Sequence, residues 1–149
     1  MLKETFRPRG RVYIDVQYEN GDTHRIVQDN VVTNNGRDRF ASILAQSSTT
    51  FPSYIAIGTG TTAVAVTDTA MQTEIDRNIL GSTTSSSGVV TYTCFFSKTE
   101  ANGSTISEVG LFDAASSGTL ICHAILGATV VKDNTISITV TWTITFADS

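Results

Sequence analysis

TISITVTWTITF, residues 135–146, decides the fold of this chain. Ile136, Ile138, Val140, Trp142, Ile144 and Phe146 fall on one side of it, and Thr135, Ser137, Thr139, Thr141, Thr143 and Thr145 on the other. Strand side chains alternate with period 2, so the stretch reads as an unbroken strand with one buried face. At about 3.3 Å per residue it spans about 40 Å, twice the usual length. A strand that long needs a broad sheet, or a second sheet, over its apolar side.

Upstream segments supply that cover. Lys132-Asp133-Asn134 turns into the long strand from a predicted strand over Thr119–Leu126. Thr105–Phe112 and Val89–Ser97 are strands too, the latter with Val90, Tyr92, Cys94 and Phe96 on one side. Phe95 and Val89 on its other side predict burial on both faces for part of its length. Near the start, Arg11–Tyr18 alternates, Asn20-Gly21 makes a hairpin turn, and Thr23–Val27 returns. Thr33-Asn34-Asn35-Gly36 reads as a turn and helix cap, followed by Phe40, Ala41, Ile43 and Leu44 at helical spacing. One short helix is therefore expected over residues 36–46. Tyr54–Ile57 is a short strand, and Asp68 caps a helical turn running through Met71 toward Ile75. The serine-rich GSTTSSSG at 81–88 is an exposed hairpin tip or mobile loop. The expected fold is mainly β, an antiparallel β-sandwich or jelly-roll-like domain over 11–149. Residues 1–10 lack apolar periodicity and read as an N-terminal arm.

The bulk composition agrees. The chain has 149 residues, 40% hydrophobic but only 16% charged, with serine and threonine filling the polar share. Average soluble domains carry about 25% charged residues. The net charge of −4 argues against nucleic acid as the main partner, although Lys3, Arg7, Arg9, Arg11, Arg25, Arg37 and Arg39 crowd the first forty residues. No apolar run reaches the roughly 18 residues of a membrane span, and the first residues lack a signal-peptide core, so synthesis in a cytoplasm is expected. Cys94 and Cys122 are expected as reduced, buried thiols. A disulfide between neighbouring strands stays open, because sequence does not fix their separation.

Catalytic signals are weak. Gly58-Thr-Gly60-Thr-Thr-Ala63 fits the dinucleotide pattern, but a β-branched segment follows where a helix is needed, so a tight loop is expected. His123 neighbours Cys122, yet adjacent strand residues face opposite ways and no third ligand stands at zinc spacing. Glu74 and Arg77, three apart, suit an ion pair on one helical turn. Glu108 opens an apolar run and needs a partner when buried; Arg77 is the candidate cation. No catalytic, cofactor or metal site is expected.

Taken in order, several motifs resemble a group of small virion proteins of tailed bacteriophages. They are Val32-Thr-Asn34-Asn-Gly36, Tyr54-Ile-Ala-Ile-Gly-Thr-Gly60, Glu74 with Arg77, Ile106-Ser-Glu-Val-Gly-Leu-Phe-Asp113, Gly118-Thr-Leu-Ile-Cys-His-Ala124 and Trp142-Thr-Ile-Thr-Phe146. Similar segments occur in capsid decoration, tail-fibre, collar and baseplate proteins, and the match covers roughly residues 30 to 146. The resemblance implies a non-enzymatic structural subunit of a virion, made in a bacterial cytoplasm. A capsid decoration (cement) protein bound to coat subunits is the leading expectation, as a homo-oligomer such as a trimer. Fibre proteins continue into a receptor-binding region, whereas this sequence ends at Ser149, which favours a decoration or adaptor module. The alternative is a tail, collar, baseplate or fibre-adaptor subunit contacting tail or neck proteins. A carbohydrate-binding module using Tyr13, Tyr18, Tyr54 or Trp142 is a third possibility. Neither nucleic acid nor membrane is an expected direct partner. Lys3, Arg7, Arg9 and Arg11 on the arm are expected to dock on an acidic neighbouring subunit.

Overall fold

The computed structural model describes residues 6–148. In chain order the elements are β1 (Phe6–Tyr18), β2 (Thr23–Val32), α1 (Asn34–Leu44), β3 (Tyr54–Gly58), β4 (Glu74–Ile79), β5 (Ser82–Ser86), β6 (Val89–Phe96), β7 (Thr105–Phe112), β8 (Leu120–Val131) and β9 (Ile136–Asp148). All the strand pairs are antiparallel. They form a nine-stranded sheet in the order β4-β3-β7-β8-β2-β1-β9-β6-β5.

The sheet curls over at β2. That strand pairs with β1 from Gln17↔Thr23 to Gly10↔Asn30, then leaves it and pairs with β8 at Val31↔His123 and Val32↔Cys122. The first half of the curl is β2-β1-β9-β6-β5 and the second is β8-β7-β3-β4, a sandwich-like arrangement with the core between. Val12, Ile14 and Val16 of β1, Tyr92, Cys94 and Phe96 of β6, and Ile138, Val140, Trp142 and Ile144 of β9 line it from one side. Ile55 and Ile57 of β3, Val109 and Leu111 of β7, and Cys122 and Ala124 of β8 close it from the other. β9 and β6 are lateral neighbours, so β7 faces the Trp142 side across the core and β6 extends it. Trp142 is fully buried, and its indole N–H donates to Asn30 Oδ1 at 3.1 Å.

The helix runs over Asn34–Leu44, two residues earlier at each end than the expected 36–46, because Thr33 at the start of the turn is itself the N-cap. Thr33 Oγ1 accepts from Gly36 N–H at 2.9 Å and donates to Leu120 carbonyl at 2.5 Å, so one hydroxyl ends the helix and ties it to β8. A Cβ on Gly36 would lie 2.2 Å from the Ile121 carbonyl oxygen. Only glycine lets α1 sit this close to the strand.

Several expectations change. Phe6–Gly10 belongs to β1 and pairs with β9 from Phe6↔Asp148 to Gly10↔Ile144. Pro8 and Gly10 hold the inward positions there, which hides the alternation although the backbone still pairs. The first five residues of the expected arm, Lys3 among them, lie outside the described residues. No helical turn follows Asp68; Glu74–Ile79 is strand β4 on the edge of the second half. Ser82–Ser86 is a strand, and the hairpin tip is Ser87-Gly88, with φ of 52° and 77°. Both residues sit in the left-handed region that a two-residue hairpin turn requires. Phe95 is 54% exposed, because the outer side of β6 is open rather than covered.

Candidate functional site

The outer side of the first half carries the arginines. With Val12, Ile14 and Val16 inward, Arg7, Arg9 and Arg11 project from β1 to the surface and are exposed. Lateral rows continue across the sheet. One row runs Asp29, Arg11, Thr143, Thr91, Thr84; the next runs Val27, Tyr13, Thr141, Thr93, Ser82. Arg9 lies beside Thr145, which lies beside Val89. Arg11 Nε is 2.9 Å from Asp29 Oδ1, and Arg25 makes a two-pronged contact with Asp15 at 2.7 and 3.0 Å while lying over the Tyr13 ring. The result is a broad face of small hydroxyl side chains bordered on one side by guanidinium groups.

The outer side of the second half holds a buried polar centre that sequence spacing does not reveal. Glu108 on β7 and His123 on β8 share that face, two register positions apart across the strand pair, and neither is exposed. His123 Nε2 lies 2.7 Å from Glu108 Oε2, and Nδ1 lies 2.8 Å from Asp68 Oδ2. The segment between β3 and β4 closes over them. Gly60 N–H and Thr73 N–H donate to Glu108 Oε1 at 3.1 and 2.8 Å, and Gln72 N–H donates to Oε2 at 2.9 Å. Ala65 N–H donates to Asp68 Oδ2 at 2.9 Å. Burial pushes the Glu108 carboxyl up. The amides of Thr73, Gln72 and Gly60, with His123, outweigh that and hold it below the usual glutamate range. With Glu108 ionised, His123 donates to it through Nε2.

The Gly58-Thr-Gly60 motif explains itself here. A Cβ on Gly60 would fall 2.5 Å from Glu108 Oε1, and one on Gly58 would fall 2.3 Å from the Thr73 carbonyl oxygen. These glycines bring backbone amides onto an anion, as phosphate loops do, but the anion is the chain's own Glu108.

Arg77 is not the partner of Glu108. Its guanidinium binds Glu74 at 2.6 and 2.9 Å, donates to the carbonyls of Ala114 and Ser117 at 2.9 and 2.8 Å, and stacks 3.6 Å above the Phe112 ring. It ties β4 to the β7–β8 turn. The pair forms on a strand rather than a helical turn, because a bulge sets Glu74 opposite Gly58 and Asp76 opposite Ile57. The extra residue returns positions three apart to one face.

The remaining candidates are structural. Cys94 on β6 and Cys122 on β8 are free, buried thiols on opposite halves of the curl. Burial raises both, Cys94 to about 12, so neither is a nucleophile near neutral pH. Trp142 is sealed in the core and offers no platform to a sugar. Lys132 is also fully buried, and its ammonium donates to Asn102 Oδ1 and the Asp133 carbonyl at 2.8 and 3.0 Å. No helix among the described residues is long and apolar enough to cross a membrane.

Compared with protein-family models, with curated proteins and with solved structures, the chain shows no significant match.

Proposed function

We propose that this chain is a non-enzymatic structural subunit of a bacteriophage particle, a capsid decoration protein that docks on coat subunits as a homo-oligomer such as a trimer. The observation that carries the proposal is the arginine-bordered, hydroxyl-rich outer face of the first half. It is wide, regular, low in charge at its centre and built on the two longest strands, which suits adhesion by surface burial better than recognition of a small molecule. The most reactive-looking residues support the same view. Glu108 and His123 lie beneath a loop and spend their hydrogen bonds on the chain itself. A tail, collar, baseplate or fibre-adaptor role uses the same face on a different neighbour.

Copy number in gradient-purified particles tests the proposal. Hundreds of copies per particle assign the capsid surface, a dozen or so assign the tail or neck, and none overturns a virion role. Removing residues 1–5 leaves β1 intact and separates the contribution of Lys3 from that of Arg7, Arg9 and Arg11. Charge reversal of those three arginines is expected to lower occupancy of the particle.

A further inference from the structure

Where β2 leaves β1 for β8, a cleft of about 670 Å³ opens between the start of β1, the end of β2 and the N-terminal turn of α1. Arg9, Arg11 and Arg37 line it, with Asp29 as its acidic wall residue. Asp29 is already bound to Arg11. Arg9 and Arg37 are exposed and have no carboxylate partner among the described residues, in a protein of net charge −4. The same corner exposes backbone. Phe6–Arg9 pairs with β9 on one side, while β2 begins its pairing only at Gly10↔Asn30, so no described strand lies along the other edge of Phe6–Arg9. Such an edge accepts an extended segment, and Pro8 within it lacks an N–H. A segment seated there gains fewer backbone bonds and depends more on charge.

We propose that this cleft binds an extended acidic segment of a neighbouring protein subunit, laid along the free edge of Phe6–Arg9 with its carboxylates on Arg9 and Arg37. This deepens the docking role above and rests on it for the identity of the neighbour. Charge complementarity selects the occupant: two unpaired guanidiniums favour planar carboxylates, and the overall negative charge disfavours a polyanion as long as a nucleic acid.

Fluorescence anisotropy on the isolated full chain tests it, with a short labelled peptide of alternating glutamate and valine as the probe. Saturable binding that weakens with added salt is expected, and the Arg9→Glu/Arg37→Glu double variant should lose about tenfold or more in affinity. Lys98→Glu, a charge reversal far from the cleft, should bind as the parent does. Circular dichroism checks that the double variant is folded. Absence of saturable binding, equal binding by the double variant, or tighter binding of a short oligothymidylate overturns the inference. Failure of the peptide arm with normal particle occupancy removes the cleft alone. Peptide binding that holds without any particle occupancy supports the cleft and removes the virion role.

Discussion

Glu108 shows how one buried carboxylate fixes an entire loop. Its folded-state pKa is depressed, so its contribution to stability is complete above about pH 4.5, the ordinary glutamate range, and is lost as pH falls through the lower folded value. Glu108→Gln keeps the shape and removes the charge that the amides of Gly60, Gln72 and Thr73 address. We expect it to cost about 3 kcal/mol at neutral pH, with a shallower loss toward acid than the parent, in urea titrations at several pH values. Equal pH slopes for the two proteins would dismiss the role given to Glu108. Gly60→Ala places a methyl against Glu108 Oε1 and the Gln72 side chain, and should cost about 2 to 4 kcal/mol in the same titration. None of this centre is legible as a site in the sequence. Asp68, Glu108 and His123 are brought together only by strand register and loop closure, and each alone resembles an ordinary polar residue. Gly58 and Gly60 gave the one visible sign, since two glycines so close mark a backbone that approaches something.

At the scale of elements, legibility follows period. β9 is read nearly to the residue because its alternation is unbroken. β7 is read to the residue because polar turns bound it on both sides, although a register shift between Ile106 and Glu108 interrupts its own alternation. β5 is hidden because serine and threonine occupy both of its faces, leaving no contrast for a period to appear in. β4 is hidden because its bulge breaks the alternation, and charged residues spaced by three then imitate a helix. The hairpin of β5 and β6 offers a clean test. Ser87 takes a left-handed conformation at φ 52° without the side chain that best tolerates it. Ser87→Asn gives the preferred Asn-Gly pair and should raise stability by about 0.5 kcal/mol, seen as a small upward shift in melting temperature. Gly88→Val should destabilise, since its φ of 77° disfavours a β-branched residue and its Cβ meets the Phe146 carbonyl oxygen at 3.1 Å.

The whole molecule divides its polar groups by depth. One half of the curl buries its chemistry under the loop joining β3 and β4, and the other displays hydroxyls and guanidiniums outward. If the chain docks on coat subunits as the proposed homo-oligomer, sedimentation equilibrium should find a trimer, and reversing Arg7, Arg9 and Arg11 should weaken particle binding while leaving the melting temperature near that of the parent. A monomer at all accessible concentrations would count against the homo-oligomer. The mainly antiparallel β architecture was legible from strand periodicity and turn residues. The curl was not, because it depends on β2 changing partners between Asn30 and Val31, and no local pattern marks that exchange.

The pairing of β1 with β9 also sets how the domain responds to force. Phe6 stands opposite Asp148, and Tyr18 opposite Ile136, so the two ends of the described chain leave from the same end of the same strand pair. A pull between those ends opens the ladder like a zipper, loading one rung at a time. A push or shear delivered through the outer face engages every rung of both long strands together. The domain is thus weak when tugged by its ends and strong when gripped by its flank.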